Sequence, residues 1–224
     1  MLAALAHSAL MPRNAAVLPF PAEPAQHTRQ PVPQVMNFVR DSGIYQEGDD
    51  ATYFYKVVSG VVRTCHFSAD GRRHIDAFYH VGEIFGFELA SEHRFSAEAV
   101  TDCVLLPCHR HGMEEAAALD GVAIMHLYTY AMRQLDRAQA HSQLLGRCNA
   151  MQKLGVFLLE LSARKGDAEI ELPMTRQDIA DYLGLTVETV SRTIAHLEKD
   201  GMICLMRARH IVVKDRDRLE DLAA

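Results

Sequence analysis

The sequence predicts an α+β protein in three successive parts: an N-terminal β-roll, one long helix and a C-terminal winged helix-turn-helix. Three observations predict it. Between Gly43 and Leu106, short runs rich in Tyr, Phe, Val and Ile are broken at regular intervals by turn residues, the texture of an antiparallel all-β unit. From Asp120 to Leu145 there is no Pro and no Gly after Gly121, while apolar or small residues recur with 4-3-4-3 spacing, as on a helix that packs against another helix. Two short helical patterns around Gly184-Leu185, followed by two short alternating runs, occupy the end of the chain.

Residues 1–34 hold six of the eight prolines with Ala, Gln and few large apolar groups, a composition that favours an extended, partly disordered arm. The roll is expected over 35–118. Its turns are Gly48-Asp49-Asp50, Ser59-Gly60, Asp70-Gly71, Val81-Gly82 and Phe85-Gly86, and Asp70-Gly71 between Val61–Phe67 and His74–Tyr79 is a hairpin signal. The long helix is expected over 119–147, with its stripe at Ile124, Tyr128, Ala131, Leu135, Ala138, Ser142 and Leu145. Spacing alone allows two partners for this stripe, a neighbour in the same core or a second chain. The C-terminal unit, 148–224, opens with a helix from about Asn149 to Arg164 that carries Met151, Leu154, Leu158 and Leu161. It stops at Lys165-Gly166, with the basic residue and glycine that a helix C-terminus favours.

Two shorter helices follow, Thr175–Leu183 and Thr186–Lys199, with Thr175 and Thr186 as N-caps and Asp178 completing a capping-box variant. Met202–Met206 and His210–Val213, joined by Arg207-Ala208-Arg209, read as a two-stranded wing. In the second helix Val187, Val190, Ile194 and Leu197 share the face toward the core, which leaves Glu188, Thr189, Ser191 and Arg192 on the other. Those side-chain types match base edges in a DNA major groove. Arginine donates two hydrogen bonds to guanine O6 and N7, glutamate accepts from a cytosine amine, and serine meets a thymine methyl or a polar base atom. The plainer reading is a surface ion pair between Glu188 and Arg192, four apart on one face and worth about 0.3 to 0.5 kcal/mol. Phosphate contacts are expected from Thr175, Arg176 and Gln177 at the first helix, from Thr186 and Thr189 at the second, and from Arg207, Arg209 and His210 on the wing.

The formal net charge of −6 excludes a protein that coats nucleic acid by bulk charge. Even from Ala168 onward there are eight Lys and Arg against eleven Asp and Glu, so binding is expected to be weak on random DNA and selective for a site. The five cysteines (Cys65, Cys103, Cys108, Cys148, Cys204) are odd in number and form no C-x-x-C pair, which points to neither a disulfide framework nor a zinc module. Met1 to Pro12 has no basic leader, so neither a signal peptide nor a membrane span is expected, and the location is cytoplasmic. Cys108-His109-Arg110-His111 offers two histidines on one face but no third ligand, so it reads as a surface hinge and no metal is assigned. Cys204, between Ile203 and Leu205, reads as a small core residue, and it is also the thiol whose oxidation would matter most. No nucleophile with an adjacent base, no phosphate-cradling Gly loop and no paired carboxylates mark an enzyme.

These parts together resemble the Crp/Fnr superfamily of bacterial transcription regulators over residues 35 to 220, with the roll as the cyclic-nucleotide-binding-like domain and the long helix as the dimerisation helix. In the roll the resemblance rests on Gly48-Asp49-Asp50-Ala51, Tyr55-Lys56-Val57-Val58-Ser59-Gly60 and His80-Val81-Gly82-Glu83-Ile84-Phe85-Gly86. In the C-terminal unit it rests on Leu183 to Arg192, which is similar to the E-x-x-S-R recognition helix of the Fnr and FixK branches. The resemblance implies a homodimer on a palindrome of the form TTGAT, four unspecified pairs, ATCAA, with RNA polymerase as a further partner. It implies Glu188, Ser191 and Arg192 as base readers and the seven stripe residues as the dimer interface. Two recognition helices about 34 Å apart match such a site.

Departures from the family pattern sort the branches. Where the cyclic-AMP branch has a Gly-Glu pair and an Arg-Ser pair, this chain reads Gly86-Phe87-Glu88 and Arg94-Phe95-Ser96-Ala97. Phe95 removes the charge a buried phosphate needs, and Arg94, one residue early in a strand, faces the other side. No cysteine precedes Cys65, so the N-terminal ligands of an Fnr-type cluster are missing. The remaining branch is FixK-like, which the stretches from His93 to Ala97 and from Leu172 to Ile179 resemble. It implies a regulator, mainly an activator, that works without a cofactor in low-oxygen, denitrification or nitrogen-fixation circuits. Two alternatives remain. One is a haem- or redox-dependent gas sensor of the same fold with His80 or His126 as axial ligand, and the other is a cyclic-nucleotide-binding module whose C-terminal helices are purely structural.

Overall fold

The structure is a computed structural model that describes residues 34–112, 121–166 and 168–223. The arm expected over 1–34 lies, except for Gln34, outside the described residues. Two units change over between Ala131 and Met132, inside the long helix.

Among the described residues the first unit contains eight strands: β1 (Met36–Phe38), β2 (Gly43–Tyr45), β3 (Tyr53–Ser59), β4 (Val62–Phe67), β5 (Arg73–Tyr79), β6 (Ile84–Phe85), β7 (Ser96–Ala99) and β8 (Cys103–His109). They form two antiparallel sheets, ordered β1-β8-β3-β6 and β2-β7-β4-β5. The hairpin expected at Asp70-Gly71 is β4–β5, registered from Val62 opposite Tyr79 to Phe67 opposite Arg73. Inward residues of both sheets merge into one core of Tyr45, Tyr55, Val57, Val62, Ala77, Tyr79, Phe85, Ala97, Ala99, Cys103 and Leu105. Aromatic rings fill much of that space. The Phe85 ring lies 5.5 Å from Tyr55 and 5.4 Å from Tyr79, and Tyr45 stacks on His93 at 3.6 Å. Burial, with Tyr79, Glu88 and other tyrosines nearby, pushes the Tyr45 phenol well above its ordinary value.

Three features of this unit differ from or add to the sequence reading. Arg94 is not in a strand, because β7 begins at Ser96. It occupies an exposed bend, with its backbone N–H 3.4 Å from Glu88 Oε1, so exposure rather than strand alternation takes its guanidinium out of the interior. The ring of Phe95 is half-buried, 6.0 Å from His66. Arg63 is buried, and its Nε and a terminal nitrogen both lie 2.8 Å from Glu98 Oε2 across the β4–β7 pairing, a charge pairing that strand patterning does not reveal.

Gly60 turns β3 into β4 at φ +88°, and a Cβ built there would sit 2.3 Å from the Asp102 carbonyl oxygen and 2.6 Å from Cys103 Sγ. Backbone cannot yield as a flexible side chain can. Gly60→Ala is expected to destabilise the roll by about 3 kcal/mol through strain and clash together, read as a lower urea midpoint with an unchanged slope.

Helix α1 spans Gly121–Arg147. All seven stripe residues are exposed, Ile124 at 51 %, Tyr128 at 58 % and Leu135 at 49 %. Among the described residues these side chains are therefore not buried as those of a core face are.

The second unit contains α2 (Ala150–Lys165), β9 (Glu169–Glu171), α3 (Arg176–Leu183), α4 (Val187–Lys199), β10 (Ile203–Arg207), β11 (His210–Val213) and α5 (Arg216–Ala223). Helix α2 starts in a capping box between Asn149 and Gln152 and stops at Gly166 in the left-handed region. It buries Leu154, Leu158 and Leu161. The expected wing is β10–β11, and β9 extends it to a three-stranded sheet ordered β10-β11-β9. Three residues are too few for alternation to mark β9 in the sequence.

Candidate nucleic-acid interface

Local capping chemistry builds the helix-turn-helix. Thr175 Oγ1 accepts the Asp178 N–H at 3.1 Å and donates to Asp178 Oδ2 at 2.8 Å, while the Thr175 N–H donates to the same carboxylate at 2.9 Å. Asp178 is buried, so the carboxylate that completes the box also anchors α3 to the core. Gly184, at φ 61°, ends α3, and two residues later Thr186 caps α4 by accepting the Thr189 N–H at 3.2 Å. The two threonine hydroxyls lie 3.1 Å apart.

The face that α4 turns inward is close to the expected one, with one exchange. Val190, Thr193, Ile194 and Leu197 are buried, and Val187, in the first turn, is only half-buried. Thr193 enters the core because its hydroxyl donates to the Thr189 carbonyl at 2.8 Å and leaves no unmet polar group. On the other face Glu188 and Arg192 are exposed, with Thr189 and Ser191 half-buried. Among the described residues Arg192 makes no hydrogen bond or ion pair. The closed Glu188–Arg192 pair of the plainer reading is absent. The Glu188 carboxyl is held below its ordinary range first by its own backbone N–H and next by the Thr186 hydroxyl, with Arg192 the weakest influence. The carboxylate thus turns toward the helix N-terminus, where unpaired N–H groups attract it.

Other expected contact residues fall into two groups. Thr175, Thr186 and Thr189 have their hydroxyls engaged in caps, and Gln177 donates to Asp181 Oδ1 at 2.7 Å. Arg176 is half-buried, while Arg207 and Arg209 are exposed on either side of Ala208 at the wing tip. His210 lies back from the tip, its Nε2 3.3 Å from Glu169 Oε2 on β9. Glu198 Oε1 accepts the Leu205 N–H at 2.8 Å, joining the last turn of α4 to the wing.

Two side chains that the sequence reading did not single out hold the turn itself. The last carbonyls of a helix lack partners within it. Here His141 Nε2 donates to the Tyr182 carbonyl at 2.9 Å and Lys153 Nζ to the Leu183 carbonyl at 3.0 Å. The Lys153 ammonium sits where the negative end of α3 favours a cation.

The remaining candidates are dispersed. Cys204 is half-buried, opposite in facing to the buried Ile203, with its Sγ 3.8 Å from Met206 Sδ. Strand alternation puts the thiol outside the core and corrects the reading of it as a core residue. His80 and His126 are half-buried, and β8 ends at His109 as helical backbone begins at Arg110. Among the described residues, no three His, Cys, Asp or Glu side chains converge to hold a metal ion, and no helix is long and apolar enough to cross a membrane.

Residues 35–119 match the family model for a cyclic nucleotide-binding domain, and residues 152–222 the model for a Crp-like helix-turn-helix domain. Roll, long helix and capped helix-turn-helix with wing define a DNA-binding transcription regulator of the Crp type. The chain is 44 % identical over 191 residues to the nitrogen fixation regulation protein FixK of Azorhizobium caulinodans, covering 83 % of this chain and 77 % of that one. It is 40 % identical to FixK of Rhizobium meliloti, covering 80 % and 82 %. The solved structure of FixK2 from Bradyrhizobium japonicum superposes with a TM-score of 0.83 at 40 % identity, over 86 % of this chain and 98 % of that one. The chain belongs to the FixK branch of the Crp/Fnr family.

Proposed function

We propose that the protein acts as a homodimer on a TTGAT-N4-ATCAA-like palindrome, with Glu188, Ser191 and Arg192 reading bases. The carrying observation is Arg192, exposed and unpaired on the one face of α4 that the core does not use. Phosphate contacts come from Arg207 and Arg209 at the wing tip and from the helix starts at Thr175, Arg176, Gln177, Thr186 and Thr189. The caps occupy the hydroxyls of those threonines and also the Thr175 and Thr189 N–H groups, so these contacts require a cap to open, and His210 reaches phosphate only by leaving Glu169.

In this reading residues 35–118 form the sensor-like roll, 119–147 the dimerisation helix and 148–224 the DNA-binding domain. The seven exposed stripe residues form the seam between protomers, which their exposure in the single chain supports. The protein works in the cytoplasm, mainly as an activator that contacts RNA polymerase, in low-oxygen, denitrification or nitrogen-fixation control. It does so without cyclic nucleotide or iron–sulfur cluster. Aromatic side chains between the two sheets and the exposure of Arg94 support that reading of the roll. Selection of bound sequences from a random duplex pool is expected to return TTGAT half-sites in inverted repeat. Recovery of unrelated or unpaired sites overturns it.

A further inference from the structure

We propose that His141 is a positioning residue that sets the aim of the recognition helix relative to the dimerisation helix, and so the spacing of half-sites the protein accepts. The inference rests on the palindrome-binding dimer proposed above.

Half-site spacing in such a dimer depends on the angle between α4 and α1, because α1 carries the seam. Among the described residues, the part of α1 from Met132 onward meets α2 and α3 through a few side chains. Its stripe residues are exposed, with Leu145 at the border, whereas Arg137, His141 and Leu144 define another face. Arg137 lies close enough to influence the Glu160 carboxyl on α2, and Leu144 is buried. His141 meets Tyr182 twice. Its Nε2 hydrogen-bonds the Tyr182 carbonyl at 2.9 Å, and its ring stacks on the Tyr182 ring with centroids 4.2 Å apart and planes within 10°.

A hydrogen bond fixes a distance along one direction, and a stack fixes the orientation perpendicular to the rings. Both act on one residue at the end of α3. The Tyr182 ring also lies 5.8 Å from that of Phe157 on α2, so α1, α2 and α3 meet at one aromatic side chain. Leu145 adds a stop one turn further along α1, its Cδ2 3.5 Å from where a Gly184 Cβ would stand. Only Leu185 then separates Gly184 from Thr186, the cap of α4, so a tilt of α3 on α1 passes directly into the recognition helix.

The full-length chain is titrated with labelled duplexes carrying two TTGAT half-sites separated by three, four, five or six base pairs, and with versions altered at the base pair read by Arg192. Wild-type protein is expected to prefer one spacer. His141→Ala is expected to lower that preference about tenfold, the scale that loss of a hydrogen bond and a stack in each protomer permits, while discrimination at the altered base pair is unchanged. A structural role alone would weaken all duplexes by one common factor, and that result overturns the proposal, as does an undiminished spacer preference. If His141→Ala loses its cooperative melt, His141→Phe, which keeps a stacked ring and removes the donor, is read by the same criteria. Wild-type protein that shows no spacer preference overturns the dimer reading and this inference with it; a preference kept in both variants overturns this inference alone.

Discussion

Arg192→Ala is expected to weaken binding to the palindrome by about 1 to 3 kcal/mol per half-site and to relax specificity at a single base pair. A guanidinium with no partner in the protein loses nothing within the fold when it is removed. Arg192 is exposed and makes no hydrogen bond or ion pair among the described residues, so the thermal midpoint should stay where it is. The free-energy loss therefore falls on recognition alone. Arg209→Ala serves as the contrast. On the proposed interface it meets phosphate from the wing tip rather than base edges, so its removal is expected to weaken all sequences alike and to lower the salt dependence of log K by about one counterion. Titrations on the palindrome and on single-base variants, each at several salt concentrations, separate the two. Identical patterns for both variants would sink the assignment of one arginine to bases and the other to backbone.

Much of the fold was legible because its signals are local. Turn residues at Ser59-Gly60 and Asp70-Gly71 mark strand ends, and a helix start advertises itself through Thr175 and Asp178, three apart. The stripe on α1 was legible as a pattern but not as a surface, since 4-3-4-3 spacing is common to core helices and two-chain seams. Exposure at Tyr128 and Leu135 is a property of the folded chain that the spacing does not carry. What stayed hidden depends on contacts distant in sequence. His141 and Tyr182 are 41 positions apart, Lys153 and Leu183 30, and Arg63 and Glu98 35. No periodicity encodes such pairs. Cys204 shows a different failure: apolar neighbours in a strand point to the opposite face, so Ile203 and Leu205 argued for a buried thiol when they should have argued against one. Glu188 and Arg192 have the spacing of an ion pair, but the free N–H groups at the start of α4 compete for the carboxylate.

Leu135→Glu is expected to convert the protein to a monomer that keeps its secondary structure and loses the palindrome. Leu135 lies near the middle of α1 and is 49 % exposed in the single chain, so within one protomer a glutamate there stays in water and costs little. In the proposed dimer the same position is on the seam. Two-fold symmetry brings each substituted residue close to its copy, which sets two like charges in an apolar interface with no partner for either. Removing an unpaired carboxylate from water costs several kcal/mol, and two must be removed for each dimer formed. The dissociation constant of the dimer is thus expected to rise by at least about a hundredfold, the equivalent of roughly 3 kcal/mol. Sedimentation equilibrium reads this directly, and far-ultraviolet circular dichroism checks that the helices remain. Palindrome affinity should fall toward that of a single half-site, because one recognition helix then binds without the other. A Leu135→Glu protein that sediments as a dimer and still prefers two half-sites to one would place the seam elsewhere on the molecule. A protein that loses its helical signal would mean that the stripe is needed for the fold of the single chain, contrary to its exposure at all seven positions.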